Sequence, residues 1–180
     1  MRVISGKARG IVLKTPDGMK TRPTTDRVKE AMFSIIQFDL PGARVLDLFG
    51  GTGQLGIEAL SRGAKSATFV DFQEVACKLI WENLQRTKLD TDAKVIRCDY
   101  LDFLNRTSDP VDIVLLDPPY AEIFLENALK KLTEIDILQS GGIIVAERPA
   151  DKELSLDFPG FSRSKDYKYG NTLLTIYRKD

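Results

Sequence analysis

Histidine is missing from all 180 residues. Its absence removes every catalytic scheme that rests on an imidazole base, and with it most zinc sites. Cysteine is scarce: Cys77 and Cys98 lack CxxC spacing and read as neither a redox pair nor half of a zinc centre. No metal is expected. Neither sign of charge is in excess, since 26 Lys and Arg balance 26 Asp and Glu. No apolar run approaches a membrane span, and Met1-Arg2-Val3-Ile4-Ser5-Gly6-Lys7 lacks the apolar stretch of a secretion signal. A cytoplasmic protein without membrane contact is expected. Repeats, low-complexity tracts and linkers are also absent. With 43% hydrophobic residues, the chain can bury a core without disulfides or metals, so residues 1–180 are read as one domain.

The balanced charge hides an uneven distribution. Residues 1–29 hold eight Lys/Arg against two Asp/Glu, residues 30–160 thirteen against twenty-two, and residues 161–180 five against two. Both ends are basic, as a solvated surface or as a phosphate-binding rim if the fold brings them to one face. Residues 2–14 read as an extended arm or small hairpin, followed by a loop through Pro16-Asp17-Gly18. After Arg22-Pro23, Thr24 or Thr25 can cap a helix whose apolar positions are Val28, Ala31, Met32, Ile35 and Ile36, with Arg27 and Lys29 on the opposite face. This arm and helix, residues 1–40, are expected to dock on a core formed by residues 43–180.

From there the pattern alternates. Strands are expected at Arg44–Phe49, Ser66–Asp71, Ala93–Arg97, Val111–Leu116 and Gly142–Glu147, and helices at Gln54–Arg62, Glu74–Lys88, Tyr100–Leu104 and Ile123–Leu132. Apolar strands separated by helices imply a parallel sheet covered on both faces, a doubly wound α/β fold. Ser162–Tyr169 and Thr172–Arg178 flank Gly170-Asn171 with no helix between them, which predicts a closing antiparallel hairpin.

The first strand runs into Asp47-Leu48-Phe49-Gly50-Gly51-Thr52-Gly53-Gln54-Leu55-Gly56. Gly51-x-Gly53-x-x-Gly56 matches a dinucleotide fingerprint, and Asp71 ends the second strand where a ribose-binding acid belongs. Asp47 separates two cofactors. A carboxylate at the mouth of the loop repels a pyrophosphate, whereas S-adenosylmethionine (SAM) has no phosphate and carries a sulfonium and an ammonium. Either acid alone would pass as a capping or turn residue; together, at consecutive strand ends, they favour SAM. Asp99, beside Tyr100, is placed equally well to reach an adenine or to cap the next helix.

Asp117-Pro118-Pro119-Tyr120 ends the fourth strand, beside the switch point at which open α/β sheets bind ligands. Two prolines fix φ and remove two amide donors, leaving carbonyls rigid and uncontested. The Asp117 carboxylate and the Pro118 carbonyl would accept both hydrogens of an exocyclic amine, aiming its lone pair at a methyl donor. Tyr120 would stack on a single-stranded or flipped-out base, worth ~1–3 kcal/mol. An isolated turn with a capping acid remains the bland alternative.

These motifs, with Ser5-Gly6-Lys7-Ala8-Arg9-Gly10, Arg22-Pro23-Thr24-Thr25-Asp26-Arg27-Val28-Lys29-Glu30 and Tyr169-Gly170-Asn171-Thr172, resemble the bacterial RsmD family, the 16S rRNA guanine-N2 methyltransferases, over nearly the whole chain. The resemblance implies a class I SAM-dependent methyltransferase (Rossmann-like) fold, with a seven-stranded, mostly parallel sheet whose last strand is inserted antiparallel. It also implies methylation of a guanine N2 in 16S rRNA within a small ribosomal subunit or assembly intermediate, and an arm that touches RNA. Two departures stand out. Val70-Asp71-Phe72-Gln73 replaces a Glu-x-Asp, and Ala8 stands where relatives often have tryptophan.

The candidate catalytic residues are therefore Asp117, Pro118 and Tyr120. The candidate cofactor residues are Asp47, Phe49, Gly51, Gly53, Asp71, Phe72, Asp99 and Tyr100, and the candidate RNA contacts are Lys7, Arg9, Arg22, Thr24 and Arg27. A monomer is expected. Asp-Pro-Pro-Tyr also occurs in adenine-N6 DNA methyltransferases; guanine is favoured because N1–H lies beside its amine, giving a carboxylate two donors. A nucleotide-binding module without catalysis is the third reading.

Overall fold

Proline at the first helical position is preorganised and loses no needed hydrogen bond, and helix α1 (Pro23–Ile35) starts at Pro23. Thr24 and Thr25 therefore lie in its first turn rather than at its cap. The computed structural model describes residues 1–16, 23–119, 122–154 and 157–180, with only the backbone described at residues 23–25 and 122. Arg22, Tyr120 and most of the expected Pro16-Asp17-Gly18 loop lie outside those residues, as does the side chain of Thr24.

The alternation continues as β1 (Arg44–Asp47), α2 (Gln54–Ser61), β2 (Ser66–Asp71), α3 (Glu74–Thr87), β3 (Ala93–Arg97), α4 (Tyr100–Arg106), β4 (Val111–Leu116), α5 (Glu122–Glu134) and β5 (Leu138–Pro149). Three further strands follow, β6 (Phe161–Arg163), β7 (Tyr167–Tyr169) and β8 (Thr172–Lys179). The sheet order is β3-β2-β1-β4-β5-β8-β6, parallel from β3 to β5 and antiparallel beyond. The chain moves outward from β1 to β3 and returns to the other side of β1 at β4. The crevice between those two strands is the switch point.

Successive strand residues feed opposite layers, which explains the unbroken apolar runs. Val45, Phe69, Ile113, Leu115, Ile143 and Val145 pack with Met32 and Phe33 of α1, Ile57 and Leu60 of α2, and Ile80 and Leu84 of α3. Their alternates Leu46, Val70, Val114, Leu116, Ile144 and Ala146 pack with Leu104 of α4 and Leu125, Leu129 and Leu132 of α5.

The hairpin expected at Ser162–Tyr169 is interrupted. β6 and β7 lie along the same edge of β8, so the sheet is seven strands wide with one broken edge strand. The break has a cause in Arg148, buried on β5, whose guanidinium bonds Asp166 at 2.6 Å; Asp166 also accepts from the buried Thr175 hydroxyl. Two buried polar groups thus draw in Asp166, while Ser164 still meets β8, its amide donating to the Ile176 carbonyl and its hydroxyl accepting from the Ile176 amide.

The arm docks by polar contacts rather than by lying free. Arg2 and Val12 form an antiparallel bridge, and Val3, Ala8 and Leu13 join the core. Lys29, expected on the solvent face of α1, is instead 2% exposed. Its ammonium donates to the Arg2 carbonyl at 2.6 Å and lies 3.5 Å from Glu58, which is fully buried. Glu58 also accepts from the amides of Ile4 and Ser5 and from Arg62 at 2.8–3.0 Å. Burial lowers the Lys29 pKa against the opposing pull of Glu58 and Asp26. A helical pattern cannot distinguish this lysine from a solvated one, because its partner is a helix away in sequence.

Candidate active site

Every strand of the parallel block delivers an acid at its C-terminal end. Across the sheet the row reads Asp99 after β3, Asp71 and Asp47 as the last residues of β2 and β1, Asp117 after β4, and Glu147 two residues before the end of β5. Burial disfavours ionisation at three of them, Asp47, Asp117 and Glu147.

Asp47 sits at its centre, 1% exposed at the end of β1. One oxygen accepts from the Gly56 amide at 3.0 Å. The other, Oδ1, is buried with no hydrogen-bond partner among the described residues, and so is Oε1 of Gln54 at the start of α2. Desolvation, with smaller repulsion from Asp117 and Asp71, lifts the Asp47 carboxyl to about 7 against the pull of the Gly56 amide. A buried acceptor of this kind needs a donor or a cation.

The glycine loop wraps around this acid. Gly53 begins α2 with φ 80°, a left-handed conformation that a side chain would strain. The Gly51 amide donates to Asp71 at 2.9 Å, and Asp71 also accepts from Gln73 at 2.9 Å. Asp71 therefore shapes the loop while each oxygen keeps a lone pair for a ligand. Phe72 follows with 64% exposure, an uncovered aromatic face beside the cleft.

The other cofactor candidates divide. Asp99 caps α4, accepting from Leu101 and Asp102 at 2.8 and 3.3 Å through one oxygen, which leaves the second for a ligand. Tyr100 turns into the core, its ring 5.1 Å from Phe49 and 5.8 Å from Phe124. Phe49 is half-buried against the same ring.

Asp117 and Pro118 stand opposite, past the end of β4 and half-buried. Desolvation raises the Asp117 carboxyl to about 6, so it still holds its charge at neutral pH. The Leu116–Ala146 register brings Glu147 alongside it. Burial and repulsion from Asp117 push Glu147 to about 8. It lines a cleft with Pro118, Pro119, Leu125, Pro149 and Leu154.

A family model described as Conserved hypothetical protein 95 matches residues 1–178. The chain is 31% identical over 180 residues to Ribosomal RNA small subunit methyltransferase D of Escherichia coli strain K12, covering 100% of this chain and 90% of that protein. The chain belongs to the RsmD family. Bacillus subtilis YlbH is 40% identical over 182 residues, covering 99% of each. The solved structure of Escherichia coli yhhF superposes with TM-score 0.90 at 29% identity, covering 100% of this chain and 98% of that one. The fold is that of the class I methyltransferases, and the chain is a methyltransferase.

Of the candidate RNA contacts of this RsmD-family chain, the side chains of Lys7, Arg9 and Arg27 are described. Lys7 and Arg9 are exposed at the tip of the arm, where the Lys7 amide bonds the Ser61 carbonyl at the C-terminal end of α2. Eight helical residues, about 12 Å, separate Ser61 from the glycine loop. Gly6 permits this docking: its φ is +85°, and a Cβ there would lie 1.8 Å from the Ser61 oxygen. Ala8 is buried and offers nothing for stacking. Arg27 is exposed on α1. In the basic C-terminal segment, Arg163, Arg178 and Lys179 pair with Asp166, Asp39 and Asp136.

The arm meets the cleft at its two ends instead. Thr52 donates to the Met1 sulfur at 3.3 Å, and Asn83 ties Lys14 to Thr52. Sequence reasoning missed Glu147 and Asn83. The signal for Glu147 was an acid closing an apolar strand, as at Asp47 and Asp71; Asn83 carried no local signal.

Proposed function

We propose that the chain transfers a methyl group from SAM to the exocyclic N2 of a guanine in 16S rRNA, on a small ribosomal subunit or an assembly intermediate, and that it does so in the cytoplasm. The observation that carries this reading is the Asp47 oxygen, buried without a hydrogen-bond partner among the described residues, next to Asp117-Pro118 at the switch point. The acid suits a cationic cofactor, and the turn suits an amine. Membership of the RsmD family supports the substrate class.

The residues present fit SAM, which supplies an electrophilic methyl on a sulfonium. Asp47 would face its positive charge, Asp71 its ribose, Phe72 and Asp99 its adenine, with Gly51 and Gly53 allowing close approach. The Asp117 carboxylate and Pro118 carbonyl would hold the amine hydrogens. That grip favours a pyramidal nitrogen with its lone pair free and disperses the positive charge that develops on it. The nitrogen then sheds a proton to Asp117 or solvent. Tyr120 would cover the base.

The test is transfer of labelled methyl to small subunits from a strain lacking this gene, followed by nucleoside mass spectrometry. N2-methylguanosine in 16S rRNA is expected. Methyladenine, or label in DNA alone, would sink the reading.

A further inference from the structure

Gripping an amine does not identify its base. If the proposed guanine-N2 reaction holds, the ring edge beside that amine enters the cleft with N1–H, a donor, and O6, an acceptor, adjacent to one another. Of the unassigned charged groups that line the cleft, one stands beside Asp117 on the neighbouring strand. Glu147 stands at the C-terminal end of β5, set beside Asp117 by the Leu116–Ala146 register, and lines the same cleft as Pro118 and Pro119. The rest of its lining mixes apolar Leu125, Pro149 and Leu154 with charged Glu126, Arg148, Lys152 and Glu153.

We propose that Glu147 is a base-recognising residue which, as the neutral acid, accepts from guanine N1–H through its carbonyl oxygen and donates its O–H to O6, while Asp117 and Pro118 hold the amine. A neutral carboxylic acid carries a donor and an acceptor on one carbon, and guanine's N1–H and C6=O6 present the complementary pair at matching separation. An ionised carboxylate could take N1–H but would repel O6.

The surroundings keep the acid neutral. Asp117, one strand away, carries the charge of the pair, since adjacent buried carboxyls do not both ionise readily. Glu126 from α5 and Glu153 after β5 line the same cleft. Of the two cations there, Arg148 is engaged by Asp166 and the Lys152 carbonyl, and Lys152 has a partner of its own. Burial and Asp117 raise the Glu147 carboxyl to about 8, which leaves it protonated at neutral pH.

The experiment compares wild type, Glu147→Leu and Glu147→Gln in methyl transfer to unmodified small subunits from pH 6 to 9, with SAM affinity measured in parallel to verify folding. Glu147→Leu is expected to lower kcat/KM by about 50-fold, the order expected for two lost buried hydrogen bonds, with SAM affinity within about twofold. Glu147→Gln, whose amide reproduces the donor and acceptor, is expected to recover to within about fivefold of wild type. It should also lack the decline that wild type shows as pH rises through about 8. Taking the ratio of the two profiles removes ionisation of the guanine itself.

A second arm uses RNA carrying 2-aminopurine at the target position, which keeps the amine but lacks O6 and N1–H. Wild type should prefer guanine by about 100-fold or more, and Glu147→Leu should cut that preference below about tenfold. Equal loss in the Gln and Leu variants, an unchanged alkaline decline in Glu147→Gln, or unchanged discrimination by Glu147→Leu would each overturn the proposal. Wild type that transfers no methyl to guanine would instead overturn the function on which it rests.

Discussion

Asn83, fully buried on α3, donates to the Thr52 carbonyl of the glycine loop at 2.9 Å and to the Lys14 carbonyl at 3.0 Å, while its own carbonyl accepts the Lys14 amide at 2.7 Å. One side chain therefore fixes both the end of the arm and the loop that surrounds Asp47. Asn83→Leu leaves three backbone groups without their partner. A loss of about 2–4 kcal/mol is expected, read as a lower urea midpoint. SAM affinity should fall about tenfold because the loop loses its anchor. An unchanged affinity in a destabilised variant would confine Asn83 to a structural role.

The second buried polar centre is Glu58. It meets buried Lys29, and partly buried Arg62 and two arm amides. Glu58→Ala strands the Lys29 charge, so destabilisation of about 3–5 kcal/mol is expected. Lys29→Met in the same background should recover part of that loss, because the orphaned cation is removed. Additive losses in chemical denaturation would show that the two do not interact.

The contrast between these centres and the strands explains what the sequence revealed. β4 matched its expected limits because Val111–Leu116 is buried on both faces and can be little else; β2 and β3 matched as well, although β3 is only partly covered. Asp47, Gly53 and Asp117 were legible because turn chemistry and acid placement are local. Lys29, Glu58 and Asn83 were not, since each owes its position to a partner far along the chain. The break between β6 and β7 has the same origin: Arg148 reaches Asp166 only after the sheet has assembled. Exposure of Lys7 and Arg9 was legible, but their distance from the cleft depends on where the arm docks.

The acid row makes stability depend on pH in an unusual direction. Asp47, Asp117 and Glu147 are raised to about 7, 6 and 8 from ordinary carboxyl values. Between about pH 4 and 8 the folded chain therefore binds more protons than the unfolded one, and stability from these groups is present on the acid side and lost as pH rises through the folded values. The melting temperature of the free protein should fall from pH 5.5 to 8.5, with a shallower slope in Glu147→Gln. Affinity for cationic SAM should rise over that window relative to S-adenosylhomocysteine, whose sulfur is neutral. Calorimetry with both ligands measures the difference, and parallel curves would mean that the carboxyls do not sense the sulfonium.

Asp117 is assigned to the amine, not to the cofactor. Asp117→Ala should therefore abolish measurable transfer while SAM affinity stays within about tenfold. Asp117→Asn keeps the size but replaces a charged acceptor with an amide that can donate, so a loss of at least about 100-fold is expected. Retained single-turnover rates in either variant would remove Asp117 from the reaction.

The arm's geometry separates two kinds of basic residue. Lys7 and Arg9 sit at the far end of α2, whereas Arg27 lies on α1, and all three are exposed without an ion pair among the described residues. If the arm contacts RNA, neutralising Lys7 and Arg9 together should weaken subunit binding and flatten its salt dependence by about one to two phosphate contacts. The methyl-transfer rate at saturating substrate should barely change, because neither residue reaches the cleft. A salt slope equal to wild type would mean that the RNA lies only across the cleft face, and that the basic arm is a solvated surface whose backbone, rather than its charges, serves the fold.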